Sequence, residues 1–285
     1  MKKILIGIFC ALMAFSVCAE EKVYLWPGKK GPGSENFTAK ENVERNKDGI
    51  INRITSVSEP YFTVSKAKKS KSKKAGIIMF AGGRYIELGI KAMVNAAERY
   101  TAEGYTCFIV VYRLPTESGH ENPMLAPLQD AQRAIRLVRS QAAKYGIDQN
   151  KIGVFGESAG GHLAARLSTC YDEKAYDPID GADAVSARPD FQVLRVPAFM
   201  KVNGIDVPVI SQVTADTPKA FIVSASDDTT AQVKANALSY FDALWTQGVD
   251  SELHVFQNGG HRFDKDGTSR QWLDLSVNWL NEYIK

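Results

Sequence analysis

The chain has 285 residues, 45% of them hydrophobic, 24% charged and 10% aromatic, with a formal net charge of +3. Such usage excludes disordered, collagen-like and multi-span membrane classes, and the length exceeds that of a disulfide-stapled miniprotein. It suits one large α/β domain or two small ones, and the near-balanced charge gives no reason to expect nucleic acid or a membrane surface as partner.

Lys2 and Lys3 form a short basic region before the apolar run from Ile4 to Val17. Val17-Cys18-Ala19 then offers small residues of the kind a signal peptidase reads, ahead of Glu20 and Glu21. The run is shorter than the ~20 apolar residues a membrane span needs. Residues 1–19 are therefore expected to be a cleaved signal peptide, leaving 20–285 as a single domain that is secreted or periplasmic, with no stable membrane insertion. Cleavage would remove Cys10 and Cys18 and leave Cys107 and Cys170. Spacing leaves their pairing open, and two free buried thiols is the reading adopted.

Residues 26–49, rich in Gly, Asn, Lys and Glu, read as an irregular leading segment that carries the sequon Asn36-Phe37-Thr38. Strand-like runs follow at Ile50–Thr55 and Tyr61–Val64. Between Lys66 and Lys74 lies a lysine-rich stretch without interleaved aromatics, read as a solvated hairpin loop rather than a polyanion site. From residue 76 apolar strands alternate with amphipathic helices. Strands are expected at Gly76–Phe80, Thr106–Tyr112, Ile152–Phe155, Phe191–Val196, Ala220–Ser224 and Glu252–Phe256. Helices are expected at Gly89–Ala102, Leu125–Tyr145, through His162–Thr169, at Val233–Thr246 and at Arg270–Tyr283. Short β-branched runs between long helices predict a mostly parallel central sheet with helices on both faces. Residues 198–217, with Pro208 and Pro218 at its far end, are irregular enough to form a small cap.

Gly156-Glu157-Ser158-Ala159-Gly160 follows the third of those strands and opens a helix. A serine on so sharp a strand-to-helix turn has its hydroxyl presented above the sheet, at the positive end of a helix. A serine needs a base, and His261 lies on a glycine loop just beyond the carboxyl end of the last strand, where active sites of such sheets gather. His120, His162 and His254 sit in a loop, on the serine's own helix and inside a strand, where packing or capping accounts for them. Asp227 and Asp228 follow another strand's carboxyl end, and adjacency alone leaves open which of them orients the histidine. The order Ser158, Asp, His261 is that of nucleophile-elbow hydrolases. Ala81-Gly82-Gly83-Arg84-Tyr85 follows the first buried strand, so the backbone N–H groups of Gly83, Arg84 and Ala159 are the candidate oxyanion donors. No metal-ligand spacing, Walker pattern or dinucleotide glycine pattern occurs, and no cofactor is expected.

These residues resemble the secreted α/β-hydrolase carbohydrate esterases, the acetyl-xylan and feruloyl esterase-like group associated with xylanases. The resemblance rests on Val111-Tyr112-Arg113-Leu114-Pro115, Pro127-Leu128-Gln129-Asp130-Ala131, Gly156-Glu157-Ser158-Ala159-Gly160-Gly161-His162-Leu163, Ser186-Ala187-Arg188-Pro189-Asp190 and Gly260-His261. It implies the α/β-hydrolase fold, Asp228 as the triad acid, and removal of acetyl or hydroxycinnamoyl groups from plant polysaccharide or oligosaccharide. A secreted serine peptidase of the same fold and a non-catalytic carbohydrate-binding relative are the alternatives. Two departures stand out. Arg84 replaces a third glycine, and Thr229-Thr230-Ala231 replaces a proline and valines after the Asp pair. Arg84 and Tyr85 are then candidate substrate-binding residues, with Arg84 either pairing with an acidic substrate group or pointing to the surface.

Overall fold

Runs such as Gly-Ile-Ile-Met-Phe and Ala-Phe-Ile-Val-Ser-Ala carry no alternation of apolar and polar side chains, so they can be stable only with both faces covered. The computed structural model, which describes residues 22–201, 209–263 and 268–284, places them at the centre of an eight-stranded sheet. The strands are β1 (Val23–Tyr24), β4 (Tyr61–Ser65), β5 (Gly76–Phe80), β6 (Thr106–Val111), β7 (Ile152–Glu157), β8 (Gln192–Arg195), β9 (Ala220–Ala225) and β10 (Ser251–Phe256). Their order is β1-β4-β6-β5-β7-β8-β9-β10. From β6 to β10 every neighbouring pair is parallel, whereas β1 and β4 run antiparallel at one edge. A separate hairpin joins β2 (Asn42–Arg45) to β3 (Ile51–Thr55). All residues of β5, β6, β8 and β9 are buried, while β10, at the other edge, is only partly covered.

Among the described residues the helices are α1 (Ile90–Ala102), α2 (Ala126–Ser140), α3 (Ala142–Tyr145), α4 (Ala159–Thr169) and α5 (Ala237–Thr246), which lie between strands, and α6 (Thr268–Tyr283), which follows the last one. Sheet order moves one way from β5 to β6 and the opposite way from β6 through β10. Right-handed crossovers therefore put α1 on one face and α2, α4 and α5 on the other. In agreement, α1 packs against α6, and α2 against α4. Leu128, Ala131, Ile135 and Val138 of α2 are fully buried, each large one contributing about 1.5–3 kcal/mol by leaving water.

Buried polar residues on α2 tie down the leading segment. Asp130 accepts from the Trp26 indole at 2.8 Å and, in a charge-assisted fork, from Arg113 at 2.8 Å, with both charged side chains fully buried. Arg113 also donates to Ser34 Oγ at 2.7 Å, which bonds His120 Nδ1 at 2.9 Å. His120 thus serves this network, with Phe37 stacked on its ring at 4.7 Å.

Four expectations need correction. The lysine-rich stretch 66–74 is not a hairpin loop, because β4 and β5 are separated by β6 and do not pair. Residues 26–49 include strand β2, whose charged side chains hid its pairing with β3. The expected helix Leu125–Tyr145 is interrupted at Gln141, where Arg139 is drawn into bonds with the Gln149 carbonyl at 2.9 Å and Asp190 at 3.0 Å. Helix α5 begins at Ala237 rather than Val233, because the preceding residues form turns around the side chain of Asn236. Cys107 and Cys170 are both buried and unpaired. The expected signal peptide lies outside the described residues. Among the described residues, no helix is long and apolar enough to cross a membrane.

Candidate active site

Strand β7 ends at Glu157 and helix α4 starts at Ala159, so a single residue makes the turn between them. That residue is Ser158, with φ 54° and ψ −117°, a conformation costly for any side chain. Two glycines permit the close packing that enforces it. A Cβ on Gly156 would fall 2.2 Å from the Gly160 carbonyl oxygen, and one on Gly160 would fall 2.0 Å from the Phe80 oxygen. The start of α4 therefore rests directly on the backbone of β5. Ser158 is 6% exposed.

The loop after β9 and the loop after β10 meet at this serine. His261 Nε2 lies 2.8 Å from Ser158 Oγ, and His261 Nδ1 lies 2.8 Å from Asp228 Oδ2. The carboxylate can only accept, so Nδ1 carries the proton and Nε2 is left to accept from the serine hydroxyl. Asp228 is itself fixed by backbone donors, with Thr230 N at 2.8 Å and Ala231 N at 2.9 Å on its other oxygen. Asp227 takes a separate position and accepts from Gly260 N at 2.7 Å. One aspartate touches the imidazole, and its neighbour holds the loop that carries it.

On the other side of Ser158 lies the 81–85 loop. A Cβ on Gly82 would fall 3.0 Å from Ser158 Cβ, so the loop packs against the elbow. Gly83 has φ 137°, and Arg84 and Tyr85 follow at φ 56° and 64°, three successive left-handed residues in one turn. Among the described residues, the N–H groups of Gly83, Arg84 and Ala159 have no protein acceptor. Arg84 is exposed, and its guanidinium has no hydrogen-bond or ion-pair partner among the described residues. Tyr85 is placed differently from what a substrate-binding role requires. It is 2% exposed, its hydroxyl shares a 2.8 Å hydrogen bond with His162 Nδ1, and its ring stacks on Phe199 at 6.1 Å. Burial pushes the Tyr85 phenol well above its ordinary value, so it keeps its proton. Tyr85 backs the loop instead of offering a hydroxyl to substrate. Phe199 belongs to the stretch expected as a cap, of which 202–208 lies outside the described residues.

One further residue escaped the sequence reading. Arg195, at the end of β8, pairs with Glu157 at 2.7 Å and also donates to the carbonyl of Arg262, the residue after His261. Its guanidinium lies over the rings of Trp272 at 5.2 Å and Phe263 at 5.7 Å. The only available signal was its place at a strand's carboxyl end. Among the described residues, no group of three His, Cys, Asp or Glu could hold a metal ion.

Comparison with known proteins places this geometry. The BD-FAE family matches residues 63–205, and the prolyl oligopeptidase family matches 205–285. An acetylxylan esterase of Xylanibacter ruminicola is 27% identical over 69% of this chain and 43% of its own length. Endo-1,4-beta-xylanase B of Butyrivibrio fibrisolvens is 27% identical over 66% of this chain and 32% of its own. The chain thus spans less than half the length of these two relatives. A solved structure, the acetyl ester-xyloside bifunctional hydrolase of Caldicellulosiruptor lactoaceticus, superposes with a TM-score of 0.73 at 28% identity, covering 92% of this chain and 96% of that one. The Thermogutta terrifontis esterase Est2 shares the fold, with a TM-score of 0.69 at 22% identity over 88% of this chain and 94% of its own. With a serine elbow, a parallel sheet and a family match over half its length, the chain belongs to the BD-FAE family and has the α/β-hydrolase fold.

Proposed function

We propose that the protein is an exported serine carboxylic-ester hydrolase that removes acetyl or hydroxycinnamoyl groups from plant polysaccharide or its oligosaccharides. The observation that carries this reading is the continuous hydrogen-bonded series Ser158–His261–Asp228. Its substrate class is supported by similarity to an acetylxylan esterase, a xylanase and an acetyl ester-xyloside hydrolase. Export is supported by the basic, apolar and small-residue pattern of residues 1–19.

In the reaction, Ser158 Oγ attacks the ester carbonyl carbon while His261 Nε2 takes the hydroxyl proton. Asp228 stabilises the resulting imidazolium and keeps its ring oriented. Negative charge then gathers on the former carbonyl oxygen, and the N–H groups of Gly83, Arg84 and Ala159 are the donors for it. Collapse breaks the bond to the sugar oxygen, which receives the proton from His261, and leaves Ser158 acylated. Water, deprotonated by the same histidine, attacks the acyl-enzyme and releases the acid. Arg84 is free to meet an acidic group on the substrate, and comparing Arg84→Gly on charged and neutral esters separates that role from a surface one.

Hydrolysis of 4-nitrophenyl acetate and release of acetate from acetylated xylan test the proposal. Ser158→Ala should lower both by several orders of magnitude while leaving the fold intact. Unchanged turnover in that variant would sink it. The match of residues 205–285 to the prolyl oligopeptidase family favours including a peptide anilide series in the same assay. Faster Ser158-dependent cleavage of anilides than of esters would assign a peptidase instead, and failure of a fluorophosphonate to label Ser158 would assign a non-catalytic protein.

A further inference from the structure

A cleft of about 560 Å³ opens between the Met124–Leu125 turn and the far end of α4, and none of Ser158, Asp228 or His261 lines it. Its floor carries Arg166, which lies two turns along α4, roughly 12 Å from Ser158 by helical rise. Arg166 is 7% exposed and makes one side-chain hydrogen bond among the described residues, from Nη1 to the Met124 carbonyl at 2.5 Å. Its Nε is buried without a hydrogen-bond partner, and no carboxylate among the described residues comes within ion-pair distance. The other buried arginines are treated differently: Arg113, Arg133, Arg139 and Arg195 each have an acidic partner within 3.0 Å. An unpaired guanidinium kept from water costs several kcal/mol. Burial disfavours its charged form, and the neighbouring Tyr85, Glu173 and Cys170 offset this only in part.

We infer that this cleft binds a carboxylate-bearing sugar, a uronate, through Arg166. A planar carboxylate matches the guanidinium fork and supplies a counter-charge that the described residues do not. The rest of the lining selects among carboxylates. Asn122, Gln212 and the exposed Asp172 and Glu173 offer acceptors and donors for hydroxyl groups, and the two acids repel a doubly charged phosphate more strongly than a singly charged carboxylate. Met124 and Leu125 provide an apolar surface for the C–H face of a pyranose. A ligand with one negative charge and several hydroxyls satisfies all three. The site is independent of the ester chemistry proposed above.

Titration calorimetry of the full chain with sodium D-glucuronate, against D-glucose as the neutral control, tests this. Wild type should bind glucuronate saturably and at least about tenfold tighter than glucose, the usual scale for a charge-assisted bond. Arg166→Gln should weaken glucuronate at least about tenfold and abolish the preference. Gln212→Trp, a change at an exposed residue that fills the cleft, should also weaken binding and decides the matter if Arg166→Gln does not fold. Ser158→Ala should bind glucuronate as wild type does, whatever happens to its ester turnover. Absence of saturable binding, equal affinity for glucose, unchanged binding in Gln212→Trp, or loss of binding in Ser158→Ala would each overturn the assignment.

Discussion

Glu157 and Arg195 close a 2.7 Å ion pair across the neighbouring strands β7 and β8, and the same guanidinium reaches the carbonyl beside His261. The residue before the nucleophile and the residue after the base are therefore held by one side chain. Lysine can keep the charge opposite Glu157 but lacks the fork needed to hold both groups. Arg195→Lys should lower kcat by about 10–100-fold with little change in KM, since the misplacement concerns the reacting atoms rather than substrate contacts. Steady-state kinetics on 4-nitrophenyl acetate checks this, and a rise in KM at constant kcat would contradict it.

Adjacent aspartates with separate partners give a second prediction. Asp228→Asn should reduce kcat by roughly 10⁴, because an amide leaves His261 in the wrong tautomer. Asp227→Asn should cost less than about tenfold, since the bond it weakens, from Gly260 N, holds the loop rather than the imidazole. Parallel kinetics of the two variants decides between the neighbours, and equal losses would count against the geometry.

The buried Arg113–Asp130 pair should matter for folding rather than turnover. Asp130→Ala strands a fully buried guanidinium and should destabilise the domain by about 3–5 kcal/mol. Replacing both partners, Arg113→Met with Asp130→Ala, should cost less than Asp130→Ala alone. Urea unfolding of the two variants measures the difference.

His120 sets a pH dependence. Burial, together with the Arg113 guanidinium, lowers its pKa from the ordinary imidazole value, and Asp130 opposes this. The unfolded chain then binds more protons than the folded one just below about pH 6.5. Stability from this residue is fully present above that pH and declines as pH falls toward the lowered folded value. His120→Gln should remove that part of the slope. Unfolding free energies between about pH 5 and 8 provide the check, and parallel curves for wild type and variant would reject the assignment.

The strand cores and the candidate triad were legible for the same reason. An unbroken apolar run such as β9 can be satisfied only by a covered sheet; Ser158 and Asp228 follow such runs within a few residues, and His261 follows the partly covered edge strand β10. Pairing between distant strands left no such trace. Nothing in Lys66–Lys74 shows that β6 will insert beside β4, because the stretch records its own solvation but not its neighbours' partners. Arg195 was invisible on the same ground: Glu157 lies 38 residues earlier and Arg262 lies 67 later. Tyr85 shows the converse error, in which a polar tip next to a catalytic loop was matched by a buried partner, His162.

Phe80, whose carbonyl oxygen receives the bare backbone of Gly160, is also the last residue before the loop bearing Gly83 and Arg84. Nucleophile and oxyanion donors thus share one anchor point. Ser158 rides on β7, and the contact of Gly160 with Phe80 ties the start of its helix to β5, so their mutual spacing is held by close backbone packing. The imidazole arrives on the loop after the edge strand β10 and is tied to this root by the Arg195 side chain rather than by close backbone packing. Heating should therefore loosen the contact between serine and histidine before that between serine and the amide donors, and the proton-transfer arm should be the first part of the catalytic apparatus to fail.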